Sequence, residues 1–537
     1  MQKSATKRNR RLYRLTVSFM VGLWVVTPGW VNALPSGGEI VSGKGSINIE
    51  PSSPQNMLIK QDTQRLITNW KGFSIGSAES VTFKQPNSSA IALNRVIGVD
   101  PSIILGKLSA NGQVFLTNPS GVVFGQNAQV DVHGLLATTL NISNEDFLKD
   151  NYQFSQDPYR SLAAIINNGT IKAERYVGLA APAVENNGSI IVADMGSVTL
   201  ASGTAATLDF NGDGLISFAI TGEVSGVVTD AEGKILKDRV NNSGLIRANG
   251  GQVLLTAKSA GDVISNVINH SGIIEAQTVQ QKDGKIILSG GEGLVKVSGI
   301  LDAPNVLVTA GAVTIAAKEF LSTNNGDINI VANDLDLKGD LDSGTGDVLF
   351  TLASGGNLDL KSGNNPGGGV GGNDIDHISA ENLILKTDGD INVKGITEKN
   401  TAAITDFVIL ESGGNITFEE AASIFPALKL SAVNDINVNA DVTTTRTDFI
   451  AVADSENNGK GDFNVASGVI IKAARDIDVS AVNINADETS FGETRDLILN
   501  GNVTGVIPQP SIDTASILQG SLSSFLTDFF QNGGSGC

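Results

Sequence analysis

The stretch Gly112–Gly134, GQVFLTNPSGVVFGQNAQVDVHG, decides the fold. A β-rich run turns at Asn118-Pro119-Ser120-Gly121, resumes as Val122-Val123-Phe124-Gly125, and turns again. Pro fixes φ in such a turn and Gly opens the left-handed region, so the tetrapeptide predicts a turn joining successive rungs of a stacked β-architecture. Short strands between tight corners point away from an enzyme pocket.

The segments that follow repeat this design. Asn168-Gly169-Thr170-Ile171 recurs as Asn187-Gly188-Ser189-Ile190, a step of 19 residues. Ser243-Gly244-Leu245-Ile246, Ser271-Gly272-Ile273-Ile274 and Ser298-Gly299-Ile300-Leu301 continue it at steps of 28 and 27 residues. Alternating runs such as Gly251–Thr256 and Gly284–Ser289 lie between them. Rungs near 20 residues predict an all-β chain wound as a right-handed, single-stranded parallel β-helix. Alternate aliphatics point inward, Gly or Asn turns the corners with φ > 0, and each rung adds about 4.8 Å.

After about residue 320 the flavour changes. Asp recurs beside the strands, as in Gly326-Asp327-Ile328-Asn329-Ile330, Gly389-Asp390-Ile391-Asn392-Val393 and Asn434-Asp435-Ile436-Asn437-Val438. One apolar face per strand is kept, and the Asp and Asn side chains are expected to cap turns or meet solvent. A two-sheet sandwich would give similar strands in this half. Gly363–Gly372 reads as a flexible loop or hinge. Helix signals are few: Asn144–Asp150 as a short turn with Asn144 as its cap, Glu419–Ser431 as a bulging loop or brief helix around Pro426, and Ser511–Phe530 as an amphipathic carboxy-terminal cap.

Composition agrees. Sixty-one glycines and three histidines describe many strands and turns, and a single cysteine, Cys537, excludes an internal disulfide framework. Lys3, Lys7, Arg8, Arg10, Arg11 and Arg14 precede an apolar run to Trp30 and the small-residue site Val31-Asn32-Ala33, which is the pattern of a secretory signal peptide over residues 1–33. That leader holds six of the 37 basic residues and none of the 56 acidic ones, leaving 31 against 56, a net charge near −25. Such a field repels nucleic acid and anionic lipid. The remaining chain divides into 34–165, 166–320, 321–505 and 506–537.

Several phrases in residues 34 to about 160 occur together and in order: Leu34-Pro35 with Gly37-Gly38; Gln61-Asp62-Thr63-Gln64-Arg65; Asn69-Trp70-Lys71-Gly72-Phe73-Ser74-Ile75-Gly76; Val81 to Pro86; Ala92-Leu93-Asn94-Arg95-Val96-Ile97-Gly98; Leu116 to Gly125; and Gly134 to Thr139. Their set resembles the amino-terminal secretion domain of filamentous haemagglutinin-type proteins, the exported partners of two-partner secretion systems. The family's usual Asn is Ser120 here, and both residues suit that turn position. The resemblance implies recognition by a dedicated outer-membrane β-barrel transporter, passage in an unfolded state, and folding on emergence. It also implies an extracellular or outer-membrane-surface location in a Gram-negative-type bacterium. Beyond residue 320 the likeness is architectural only.

The sequence thus predicts an adhesin-like exoprotein that meets a host cell, a neighbouring cell or a matrix component, with no enzymatic activity and no cofactor. A polysaccharide-acting enzyme or matrix component exported by the same route is the alternative, because the many carboxylates of residues 327–478 could align. The candidate secretion residues are Asn94, Arg95, Asn118, Pro119, Ser120 and Gly121. Asn94 is expected to bond backbone at a turn, Arg95 to meet the transporter or a local ion-pair partner, and Trp70 with Phe73 to pack the cap. Asp209-Phe210-Asn211-Gly212-Asp213-Gly214-Leu215-Ile216 matches the start of a calcium loop, but Ile220 stands where the bidentate Glu is needed, so no metal is expected. Cys537 is a possible tether or intermolecular disulfide partner.

Overall fold

The computed structural model describes residues 34–210, 216–259, 266–363, 369–492 and 494–504. The leader, the helical pattern of 511–530, Cys537, the middle of the Gly-rich loop and the centre of the calcium-like loop lie outside these residues.

The chain opens with a cap. Glu39–Ser42 pairs antiparallel with Arg65–Trp70, and Gly45–Ile49 pairs antiparallel with Asn56–Gln61. These strands cover the first edge, which an open parallel stack would leave unpaired. Leu34, Ile40 and Ile47 pack down on the core from the cap. Gly37 has φ +62, and a Cβ on Gly38 would lie 2.5 Å from the Trp70 ring, so the Gly37-Gly38 phrase serves the turn and the close approach.

From there the pairings are parallel and the rungs have three faces. Ser80–Lys84, Lys107–Ala110 and the first half of Gln129–Thr138 stack as face one. Ile91–Val96, Gln113–Thr117 and the second half of Gln129–Thr138 stack as face two. Ser102–Ile104, Val122–Phe124 and Ala164–Asn167 stack as face three. On face two Ile286, Val306, Ile328 and Val348 lie in register, 20, 22 and 20 residues apart. The all-β, parallel β-helix reading therefore holds. The same parallel stacking runs on to Asp496–Thr504, which overturns the sandwich alternative for the second half. Alternation places Ile, Val, Leu and Phe inside along the whole rod, and each fully buried side chain contributes about 1.5–3 kcal/mol.

Some local expectations are corrected. Asn118–Gly121 joins face two to face three within one rung, because Gln113–Thr117 and Val122–Phe124 each pair with different neighbours above and below. The corner glycines of the repeat do not need positive φ. They form a column in which a Cβ would lie 2.1 Å from Gly169 O at Gly188, 2.0 Å from Gly188 O at Gly244 and 2.1 Å from Gly244 O at Gly272. Close backbone stacking, and not handedness, demands them. Ser143, not Asn144, caps the helix Asn144–Leu148, accepting from Asp146 N at 3.0 Å. Glu419–Ser431 is neither loop nor helix for most of its length. Strands Ser423–Phe425 and Leu428–Ala432 flank Pro426 at a corner, where its missing N–H costs no ladder bond.

The acidic half has a structural use for its repeated Asp and Asn. Asn415 N donates to Asp390 Oδ1 at 2.7 Å, Asp435 N to Asn415 Oδ1 at 3.1 Å, and Asp462 N to Asp435 Oδ1 at 2.9 Å. Each side chain accepts from the backbone of the next rung. These side chains are thus drawn into the stack as well as facing solvent.

Inside the rod a polar column crosses the aliphatic core. Asn167 Nδ2 donates to Asn186 Oδ1 at 2.7 Å, Asn186 Nδ2 to Asn242 Oδ1 at 2.7 Å, and Asn242 Nδ2 lies 3.1 Å from His270 Nδ1. All four residues are fully buried. The direction of donation leaves His270 Nε2–H for Ile300 O at 3.3 Å, which is the neutral tautomer. Burial pushes the His270 imidazole pKa down to about 4.

Candidate functional site

The candidate secretion residues lie on the first rungs, beside a covered patch of face two. In Ile91–Val96, alternation sends Ala92, Asn94 and Val96 inward and Ile91, Leu93 and Arg95 outward. A lid lies over the outward side. It consists of the helix Asn144–Leu148 and an antiparallel sheet of Tyr152–Ser155, Ala205–Phe210 and Ile216–Gly222. Phe147, Tyr152, Phe154 and Phe218 of the lid cover Ile67, Leu93, Phe115 and Leu136 of face two. Phe115 meets Phe147 and Tyr152 edge-on, with centroids 6.1 and 5.7 Å apart. Asp209 and Ser217, flanking the calcium-like loop, pair as hairpin partners of this lid.

Asn94 and Arg95 divide their work across the strand. Asn94 is buried mid-strand and is not at a turn. Its Oδ1 accepts the Trp70 indole N–H at 3.0 Å, and its Nδ2 donates to Ala92 O at 3.2 Å and Phe115 O at 3.4 Å. Trp70 and Phe73, both 1% exposed, pack edge to face at 5.4 Å, as expected of a cap core.

Arg95 clips the lid to the rod. It donates to Ile142 O at 2.6 Å, Asn144 Oδ1 at 2.7 Å, Asn141 Oδ1 at 3.2 Å and Asn69 Oδ1 at 3.3 Å. None of the four acceptors is a carboxylate, which corrects the ion-pair expectation. Burial without a counter-ion lowers the Arg95 guanidinium pKa.

The turn Asn118–Gly121 is stitched in the same way. Asn118 is fully buried; its Nδ2 donates to Asp100 O and Ser102 Oγ, each at 3.0 Å. Its Oδ1 accepts from Ser120 N at 2.9 Å and its carbonyl from Gly121 N at 3.0 Å. Gly121 has φ +109, and Pro119 and Ser120 are half-buried. The sequence singled out Asn94, Arg95 and the turn Asn118–Gly121 as secretion candidates. Their side chains, however, hold corners, cap and lid together.

Sequence reasoning missed two groups. The first is the polar corner under the family-like phrases. Gln85 Nε2 donates to Gln61 Oε1 at 3.0 Å, and Tyr176 OH to Gln113 Oε1 at 2.6 Å. The second lies at the lid's edge, where Arg65 meets Asp150 at 2.5 Å and Tyr152 OH donates to Asp150 at 2.7 Å. Burial opposes ionisation of Asp150, but the bonds from Tyr152 and Arg65 keep its carboxyl pKa low. Burial followed by the bond to Asp150 drives the Tyr152 phenol upward. These residues line a shallow cleft of about 320 Å³ with Gln113 and Arg175. No chemistry-bearing signal in the sequence joins them, because the partners are 85 residues apart.

Exposed apolar side chains remain on these rungs. Ile97 and Val99 are 55% and 73% exposed, and Tyr159 is 95% exposed. Arg160, next to Tyr159, reaches back to Gly98 O at 3.3 Å. Among the described residues no cluster of His, Cys, Asp and Glu could hold a metal ion.

A family model described as the TPS secretion domain matches residues 40–303. The chain is similar to a heme/hemopexin-binding protein of Haemophilus influenzae (strain ATCC 51907 / DSM 11121 / KW20 / Rd), 27% identical over 490 residues, covering 86% of this chain and 51% of that protein. It is also similar to a second heme/hemopexin-binding protein of Haemophilus influenzae, 30% identical over 294 residues, covering 51% of this chain and 30% of that one. The chain therefore spans about half the length, or less, of these curated relatives. Among solved structures, the HMW1 secretion domain from Haemophilus influenzae aligns with TM-score 0.46 and 24% identity, covering 87% of this chain and 100% of that one. The filamentous hemagglutinin secretion domain aligns with TM-score 0.30 and 11% identity, covering 68% and 100%. Residues 40–303, capped, lidded and wound as a β-helix, are a TPS secretion domain, and the chain belongs to the two-partner secretion exoproteins.

Proposed function

We propose that an outer-membrane β-barrel transporter reads the surface of the amino-terminal domain, and that the exported rod then acts outside the cell as an adhesin-like, ligand-binding exoprotein. The observation that carries the first half is the exposure of Ile97, Val99 and Tyr159. Asn94, Arg95 and Asn118 spend their polar groups on the fold. Recognition then falls to the apolar side chains displayed at the end of the same phrase, with Arg95 and the Asn118 turn acting by shaping the domain. Exposed aliphatic and aromatic side chains on rigid corners suit docking to another protein.

The test is secretion in cells that also make the transporter. Ile97→Asp/Val99→Asp leaves the melting temperature near wild type and strands the chain in the periplasm, whereas loss of the transporter blocks export of every form. Normal export of the double variant would refute recognition through these side chains. Export unchanged without any outer-membrane transporter would refute the route.

The relatives' names favour a more specific reading of the second half: capture of haem or of a haem-carrying protein. Its support is the extent of the match, 86% of this chain. Of the three histidines, His270 is inside the core, so His133, bonded to Glu174 at 2.7 Å, and His377, bonded to Asp340 at 2.8 Å, are the ones near the surface. Titration of secreted protein with haem and with hemopexin separates this reading from adhesion to cells or matrix.

A further inference from the structure

One outward column of face two runs the length of the rod. It passes under the lid at Ile67, Leu93, Phe115 and Leu136, and emerges at Leu254 and Ile287. Its last five positions, stacked in register, are Ile409, Lys429, Ile450, Asp478 and Ile498. Ile498 is 46% exposed and the other four are half-buried. Among the described residues no lid lies over these rungs.

The order is apolar, cation, apolar, anion, apolar. It maps onto itself, with opposite charges matched, when the rod is turned end for end about Ile450. A twofold axis lying in the interface along the Ile450 strand places Lys429 of one copy over Asp478 of the other, twice. Ile409 then meets Ile498, and Ile450 meets itself. A side-by-side parallel pair would set Lys429 on Lys429 and Asp478 on Asp478. The column before Ile409 runs Asn329, Leu349, Ile384, so any other antiparallel register sets an ion against an aliphatic side chain, against Asn329 or against its own like charge. Self-complementarity under a twofold axis is what a homodimeric contact requires.

We propose that this face is the contact between two copies of the chain, packed antiparallel about Ile450 and joined by two Lys429–Asp478 pairs. The Asp478 carboxylate has no hydrogen bond or ion pair among the described residues, and burial alone raises its pKa. Burial lowers the Lys429 ammonium pKa, with Glu411 pulling the other way. A facing counter-ion is worth most to charges held in such surroundings. Five rungs at about 4.8 Å and a strand of about 17 Å give roughly 400 Å² per copy, below the roughly 600 Å² per side of stable dimers. The association is accordingly weak and concentration-dependent.

Sedimentation velocity of secreted full-length Cys537→Ser, over a concentration series, tests it. We expect reversible dimers. Lys429→Glu and Asp478→Lys should each weaken association at least tenfold, while the double variant recovers to within about threefold of the parent. Melting temperatures identify any variant that fails to fold. In the same background, Ile450→Cys should oxidise to a disulfide-linked dimer, and Leu349→Cys should not. A monomer at every concentration, or indifference to both single reversals, would overturn the proposal. So would an intrachain Ile450→Cys link to a retained Cys537, which would give this face to the chain's own carboxy-terminal segment.

Discussion

The same column of face two behaves differently in the two halves of the rod. Under the lid it carries Phe115 and Leu136, fully covered by Phe147, Tyr152 and Phe218. Beyond Ile287 the aliphatic pattern persists without that cover, and ions enter it at Lys429 and Asp478. Neither half differs in winding: both are parallel, in register and filled by alternating aliphatics. A β-helix therefore stabilises itself from inside, and its outward faces are free to be covered, displayed or paired. Residues on those faces can change without disturbing the stack.

Truncating the same column under the lid and beyond it separates the two halves. Phe115→Ala should cost about 3–5 kcal/mol, since a large aromatic is removed from a closed cluster. Ile384→Ala, outward and half-buried on the uncovered part, should cost under about 1 kcal/mol. Denaturant melts of the two variants measure both; equal costs would mean that the open face is covered.

Acid probes the interior where the two halves join. His270 has a folded pKa near 4, depressed from 6.5 by burial. The unfolded state therefore takes up the proton first. Stability is fully present above the unfolded pKa and falls by about 1.4 kcal/mol per pH unit as pH drops from about 6.5 toward 4. His270→Asn, which extends the asparagine column, should flatten this part of the pH profile; an unchanged slope would place the titration elsewhere.

Backbone stacking can be tested at a corner. Gly244→Ala pushes a methyl to 2.0 Å from Gly188 O and should cost about 1–3 kcal/mol. Gly363→Ala, with no atom within 4 Å of its Cβ, should be near neutral, and thermal melts separate them.

Loss of the Arg95 clip has a local effect. Arg95→Ala removes the clip between rod and lid and should cost about 1–2 kcal/mol, concentrated in the lid. Hydrogen exchange or proteolysis within residues 139–160 should speed up while the rungs after 284 stay protected. Uniform loosening would contradict the clip.

Much of this architecture was legible in the sequence because it is periodic. The steps at Ile171, Ile190, Ile246, Ile274 and Leu301 are the observed register of face one. Period-two alternation reported which residues face inward, because a strand offers two sides. The lid was not legible. Its strands Tyr152–Ser155 and Ala205–Phe210 are some 50 residues apart and have no repeat between them to announce the pairing. Arg95 could be marked as unusual from its phrase, but its partners Asn141, Ile142 and Asn144 lie over 40 residues away.

By itself the sequence determined the winding, the corners and the apolar interior, since these depend on neighbours one repeat away and on side-chain alternation. It also determined, through its ordered phrases, the export family. Only the tertiary structure decided which outward residues are covered, that Asn94 and Arg95 serve opposite sides of one strand, and that Asn167, Asn186, Asn242 and His270 form one column. The reason is physical. Local propensity sets each rung, whereas coverage of a face and continuity of a column depend on how many residues each excursion spends before the chain returns.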